Sequence, residues 1–97
     1  MSDKLNDEAI VTALSTLPQW QKQLLDGVAA LQKDFRFNDF AGAMAFAQKV
    51  ATLADEHDHH PQLTITYGHV EVLWWSHDVN GVSERDVRLA ELCEALV

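Results

Sequence analysis

From Asn6 to Leu17 the apolar residues Ile10, Val11, Leu14 and Leu17 recur at helical spacing, with Asn6 or Asp7 placed to cap the start and Pro18 to end the run. The spacing predicts a short helix from about Asn6 to Thr16. Two strand-like runs follow, Trp20 to Leu25 and Val28 to Phe37, separated by Asp26-Gly27. Asp-Gly between such runs marks a tight hairpin, because both central residues of that turn need positive φ. In the second run Leu31, Phe35 and Phe37 share a face, and Lys33 is the one polar position between them.

Asn38-Asp39 can cap a longer helix, from about Phe40 to Glu56, with an apolar stripe of Phe40, Ala43, Met44, Ala47, Val50, Ala51 and Ala54. Small alanines let it lie close on a sheet. Pro61 biases His60 toward extended backbone, so His59 and His60 fall on a short rigid loop past the helix end. Leu63, Ile65 and Tyr67 then alternate with threonines, as in a half-buried strand. Gly68-His69 is the predicted turn, and the partner strand runs from Val70 to about Ser76. That turn pairs Ile65 with Val72, Leu63 with Trp74 and Pro61 with Ser76, which makes His60 and His77 close neighbours. The last helix begins at Ser83, where Asp86 completes a capping-box pattern flanked by Val82 and Val87 as a hydrophobic staple. The order α-β-β-α-β-β-α predicts a single α+β domain over residues 1–97. It is a four-stranded, largely antiparallel sheet with three helices packed on one face.

A 97-residue chain that is 47% hydrophobic can build one core. It buries only about 65% of its extended surface, so self-association is expected to help it. No apolar run approaches the ~20 residues of a membrane helix. The polar start, Met-Ser-Asp-Lys-Leu-Asn-Asp-Glu, lacks the pattern of a signal peptide, so a cytoplasmic location is expected. The formal charge is −8, and from Asp55 onward nine acidic residues face two basic ones. Such a balance argues against direct binding of nucleic acid or anionic lipid. Cys93, the only cysteine, lies on a helical stripe with Leu89, Leu92 and Leu96 and reads as a buried core thiol.

The candidate chemistry lies between Asp55 and Asp86. His59 and His60 precede Pro61, and His77 ends the second hairpin. Histidine is the side chain that titrates near neutral pH unperturbed, so three brought together point to acid/base work or a metal. A zinc site built from His57, His59 and His77 fits a common ligand spacing, whereas the adjacent pair His59-His60 would point in different directions. His57 and His69 otherwise read as solvated. Asp86 can cap its helix and also hold an imidazole over that helix. Arg85 reads equally as surface charge or as part of a pocket. Trp74 and Trp75 face opposite ways, one toward the core and the other free to wall a flat ligand or an interface.

Asp55, His59, His60, Pro61, Tyr67, His77 and Asp86 stand at the spacings of one family: an acid four before His-His-Pro, an aromatic six after the proline, a histidine ten further and an aspartate nine beyond that. In these positions, about a third of the chain, the sequence resembles the pterin-4a-carbinolamine dehydratases. Gly68 and Trp75 depart from the commonest pattern, which has asparagine and a small hydroxyl residue there. The resemblance implies the same fold, and loss of water from a 4a-hydroxytetrahydropterin in tetrahydropterin recycling, with no metal and no cofactor. It implies His59 and His77 in proton transfer and His60 positioning the pterin substrate. Asp58, Trp75, Ser76, His77 and Asp78 would bond the pterin ring, and Asp55 would orient a histidine. It further implies homodimers, which can pair into tetramers. The alternative function is that of a dimerisation or adaptor protein, the role that animal relatives play for a homeodomain transcription factor.

Overall fold

Two hairpins and three helices follow the expected order in the computed structural model, which describes residues 3–97. The elements are α1 (Asp7–Leu14), β1 (Gln21–Leu25), β2 (Val28–Arg36), α2 (Phe40–His57), β3 (Gln62–Thr66), β4 (His69–Trp74) and α3 (Glu84–Glu94). The sheet runs β1-β2-β4-β3 with every neighbouring pair antiparallel. One face carries the core: Leu31 and Phe35 of β2, and Val70, Val72 and Trp74 of β4, pack with Phe46, Val50 and Leu53 of α2 and Leu89, Ala90 and Cys93 of α3.

Local signals account for most of the boundaries. Asn6 caps α1 by accepting from Ala9 N–H at 2.8 Å, and Asp39 caps α2 by accepting from Gly42 N–H at 2.7 Å. Asp26 (φ 51°) and Gly27 (φ 83°) form the turn of the first hairpin, with Leu25 paired to Val28. The buried stripe of α2 is rotated from the expected one. Phe46 and Leu53 belong to it, whereas Phe40 is 47% exposed and Ala51 is exposed, because the helix leans its bulkier side chains onto β2 and β4.

The second hairpin departs from the expected register by two residues. Leu63 pairs with Val72 and Ile65 with Val70, so the turn is Tyr67-Gly68 and not Gly68-His69. Gly68 takes the second central place at φ 69°, and its missing side chain admits the Phe37 carbonyl, which would lie 2.8 Å from a Cβ there. His69 is thereby a strand residue: its Nε2 meets Asp34 Oδ1 at 2.9 Å and its Nδ1 meets Thr66 Oγ1 at 3.1 Å, so it is not the solvated turn histidine expected.

Two polar features sit in the core. Lys33, 7% exposed, reaches Glu94 Oε2 at 2.6 Å and lies 4.4 Å from the centroid of the Phe35 ring. Glu94 Oε2 also accepts from Trp20 Nε1–H at 2.9 Å, which pins the end of α3 to the sheet. Cys93 is fully buried as expected, and burial pushes its thiol from 9.0 up to about 11. The neighbouring Trp74 indole N–H pulls the other way, weakly, since it makes no hydrogen bond of good geometry.

Gly68→Ala is expected to cost about 2–3 kcal/mol in urea denaturation, because positive φ and the Phe37 carbonyl both oppose a Cβ. Gly27→Ala, whose Cβ would meet nothing within 4 Å, should cost only about 1 kcal/mol. Equal costs would show that the approach of Phe37 to the second turn is not tight. A second expectation concerns alkali. The unfolded chain releases the Cys93 proton at lower pH than the folded one, so this contribution is complete below about pH 9 and is lost as pH rises toward 11. Denaturation at pH 8 and pH 10.5 should therefore show a steeper loss for the native chain than for Cys93→Ala, by up to about 2 kcal/mol.

Candidate functional site

The end of α2 fixes the backbone of the first histidine. Asp58 adopts the left-handed conformation (φ 48°, ψ 42°), its N–H returns to Asp55 O at 3.3 Å, and His59 N–H returns to Ala54 O at 3.1 Å. These are the two bonds of a Schellman helix end, and Asp is among the few residues other than Gly that visit this conformation readily. The chain thus leaves the helix at a set angle and delivers the His59 ring to the first turn of α3.

There His59 Nε2 meets Asp86 Oδ1 at 2.7 Å, and its ring stacks on Trp74 with centroids 5.8 Å apart. Asp86 is fully buried. Its other oxygen accepts from Ser83 N–H at 2.8 Å and from the Ser76 hydroxyl at 2.8 Å, with the Ser83 hydroxyl at 3.3 Å. The Ser76 and Ser83 hydroxyl oxygens are 2.8 Å apart. Ser76 spends its one proton on Asp86, so Ser83 is the donor between the two. Oδ2 is occupied by a backbone N–H and a hydroxyl, so an ionised Asp86 offers Oδ1 to His59 as an acceptor alone. In that state Nε2 carries the proton and gives it to Asp86. Nδ1 is then the unprotonated nitrogen; it has no partner among the described residues and is not buried.

Alternation along the chain splits the rest of the expected site. Trp74 and Ser76 point to the helix side, each fully buried, while Trp75 and His77 point to the opposite face. There their rings meet edge-on with centroids 5.1 Å apart, in a cleft shared with Leu25, Val28, Gln62 and Asn80. Ser76 and Gly81 form an isolated bridge, and Asn80 takes positive φ (58°) in the turn between them. His60 is more than half exposed, and its Nε2 lies 3.0 Å from Oδ1 of Asp55, itself exposed.

The three imidazoles therefore rest on three different partners. His60 and His77 are not neighbours by register, because the shifted turn, continued, sets Pro61 against Trp74 and not Ser76. Among the described residues no three His, Cys, Asp or Glu side chains gather as metal ligands. Ser76, expected to bond a ligand, is instead sealed inside, where its hydroxyl donates to Asp86. Asp78 is half exposed and pairs with Arg85, whose guanidinium holds the Asp78 carboxyl below its usual 3.8. Arg85 thus sits beside Asp78 and Ser83, and Ser83, which had been read only as the start of a helix, joins the hydrogen bonds around Asp86. The capping-box spacing located Ser83, but not the hydroxyl contact to Ser76.

Comparison with known proteins agrees with this arrangement of elements. The family model described as pterin 4 alpha carbinolamine dehydratase matches residues 3–96. A protein of Hahella chejuensis named "Putative pterin-4-alpha-carbinolamine dehydratase" is 37% identical over 95 residues, 98% of this chain and 85% of that one. One of the same name from Rhizorhabdus wittichii is 43% identical over 94 residues, 97% of this chain and 95% of that one. Among solved structures, "transcriptional coactivator/pterin dehydratase from Brucella Melitensis" superposes with a TM-score of 0.88 at 35% identity, covering 97% of this chain and 98% of that one. A "pterin dehydratase-like protein" described as a RuBisCO assembly factor superposes with a TM-score of 0.66 at 25% identity, covering 80% of this chain and 88% of that one.

The tautomer is open to direct measurement. Nitrogen-15 spectra of the imidazoles should show His59 protonated at Nε2 in the native chain and a mixture of tautomers in Asp86→Asn, whose amide can donate as well as accept. Loss of the charge-assisted bonds should also lower stability by about 1–3 kcal/mol. An unchanged tautomer in a destabilised variant would reduce Asp86 to a helix cap.

Proposed function

We propose that this chain, which belongs to the pterin-4a-carbinolamine dehydratase family, removes water from a 4a-hydroxytetrahydropterin to give the quinonoid dihydropterin by histidine acid/base catalysis. The observation that carries the reading is the 2.7 Å contact of His59 Nε2 with Oδ1 of the buried Asp86, which, with Asp86 ionised and the imidazole neutral, leaves Nδ1 free to accept a proton. The elimination breaks the bond from C4a to the hydroxyl. The N5 proton passes to a base, the N5 electron pair forms the C4a=N5 double bond, and an acid protonates the departing hydroxyl to water. One proton is taken and one is given, so the step needs no redox partner.

His59 and His77 are the proposed proton-transfer groups, with His60 positioning the ring. They approach the end of the sheet from opposite faces, so a flat ring lying past Pro61 and Ser76 has one imidazole on each side. Trp75 supplies an aromatic wall beside His77. Asp55 steadies His60, and Asp58 and Asp78 are exposed carboxylates able to accept from pterin N–H groups. In this reading the protein works in the cytoplasm, as a homodimer or homotetramer, in tetrahydropterin recycling. No described helix is long and apolar enough to cross a membrane. The adaptor role is the alternative, and the site favours the enzyme, because a surface that only holds a partner has no use for a tautomer fixed by a buried carboxylate.

His59→Ala and His77→Ala should each slow dehydration of freshly generated 4a-hydroxytetrahydropterin by about 10²-fold or more, with circular dichroism unchanged. The double variant should lose less than the product of the two, since acid and base act in one step. Chelators should leave the rate as it is. Native rates in both single variants would end the proposal, and loss on chelation with recovery on added zinc would replace it by a metal mechanism.

A further inference from the structure

From Asp55 onward only two residues are formally cationic, Arg85 and Arg88, against nine acids. Both line one cleft of about 320 Å³ beside His59, together with His57, Glu84 and Leu89. The two guanidinium groups are not equally engaged. Arg85 is committed to Asp78 and lies 3.5 Å from the Ser83 hydroxyl. Among the described residues Arg88 has only a loose contact at 3.8 Å with Glu91, one turn away, and is 67% exposed, so its charge is nearly unspent. His57, the exposed last residue of α2, has no hydrogen-bond partner among the described residues. The wall between them is the first turn of α3, whose macrodipole adds to the positive potential. In so acidic a half of the chain this is where cationic groups converge, and they do so next to the imidazole that presents its free nitrogen.

We propose that this cleft is a subsite for an anionic side chain on the pterin, held by Arg88 with His57 beside it, so that the protein selects pterins whose substituent carries a carboxylate. The inference rests on the dehydratase reading for the placement of the ring and adds the class of substrate. A carboxylate suits the single free guanidinium through paired N–H donors. A doubly charged group would press on Glu84, which lines the same cleft. Asp78 and Asp86 do not oppose the binding, since their charges are already matched by Arg85 and by the donors around Asp86.

The test compares 6-carboxypterin with 6-hydroxymethylpterin, titrated by fluorescence against the whole chain at low salt. The carboxylate should bind about fivefold more tightly, and the advantage should shrink in 0.5 M salt, as expected for an exposed charge. Arg88→Gln should abolish the preference, Arg88→Lys should keep part of it, and His57→Gln should weaken it. The matching 4a-hydroxytetrahydropterins should show the same discrimination in KM. Equal affinities in the native chain, or a preference that survives Arg88→Gln, would overturn the subsite. If neither hydroxypterin is dehydrated the catalytic reading fails, while the binding comparison still decides this one.

Discussion

One buried carboxylate holds the structure around the site together. Asp86 closes the start of α3, receives the end of β4 through Ser76 and receives the loop after α2 through His59. A charge sealed from water is costly unless donors surround it, and here a backbone N–H, a hydroxyl and an imidazole N–H do so. The arrangement is stable as a set and weak in parts, because removing one donor strands the charge that the others were recruited to satisfy. α3 is tied at its other end as well, where Glu94 meets Lys33 and Trp20. A helix held at both ends by side chains from the sheet has little freedom to tilt, and the position of Asp86 under His59 is correspondingly fixed.

Much of this was legible in the sequence because it is local. Asp26-Gly27, Asn6, Asp39 and the Ser83 to Asp86 spacing each act within four residues, and the elements formed where those signals stand. That Asp86 can cap its helix and also hold an imidazole was also readable, since the cap fixed its place; which histidine it holds, His59, was not. What depended on distant packing was not. The register of the second hairpin goes with a close approach of Phe37, just past the end of β2, to Gly68 in the turn, a contact distant in the chain. The buried stripe of α2 keeps the helical period but is rotated to include Phe46 and Leu53, and which of the possible stripes faces inward depended on the sheet beneath it. Ser83 was assigned to the helix alone, and Arg85 was left between surface and pocket, because their contacts lie in the Ser76 to Gly81 turn, which has no hydrophobic pattern to announce it.

The two-residue shift also explains why the imidazoles do not share one network. A shift by an even number keeps every side chain on its own face of the sheet, so the core is preserved whichever turn forms. It does move the end of β4 relative to the start of β3, and with it the partners of His60 and His77. Alternation, which the shift leaves unchanged, makes successive residues of the strand end serve different surfaces: Trp74 and Ser76 support His59 from within, and Trp75 and His77 line the opposite cleft. In the proposed reaction, imidazoles on opposite faces of the strand end suit an elimination in which one proton is taken and another given at neighbouring atoms.

Coupling the tautomer to the helix cap has a thermodynamic consequence. Holding an imidazole in one protonation pattern costs orientational freedom, and an exposed carboxylate would offset it poorly in water. Here the carboxylate is desolvated already, because the fold needs it for α3, so the added cost of orienting His59 is small. The same economy makes the site hard to modify. Any residue at 86 must fill a sealed volume, accept from Ser83 N–H and still leave an acceptor for His59 Nε2. Glutamate is longer than that space allows and asparagine brings a donor of its own, which leaves aspartate as the side chain that satisfies all three demands.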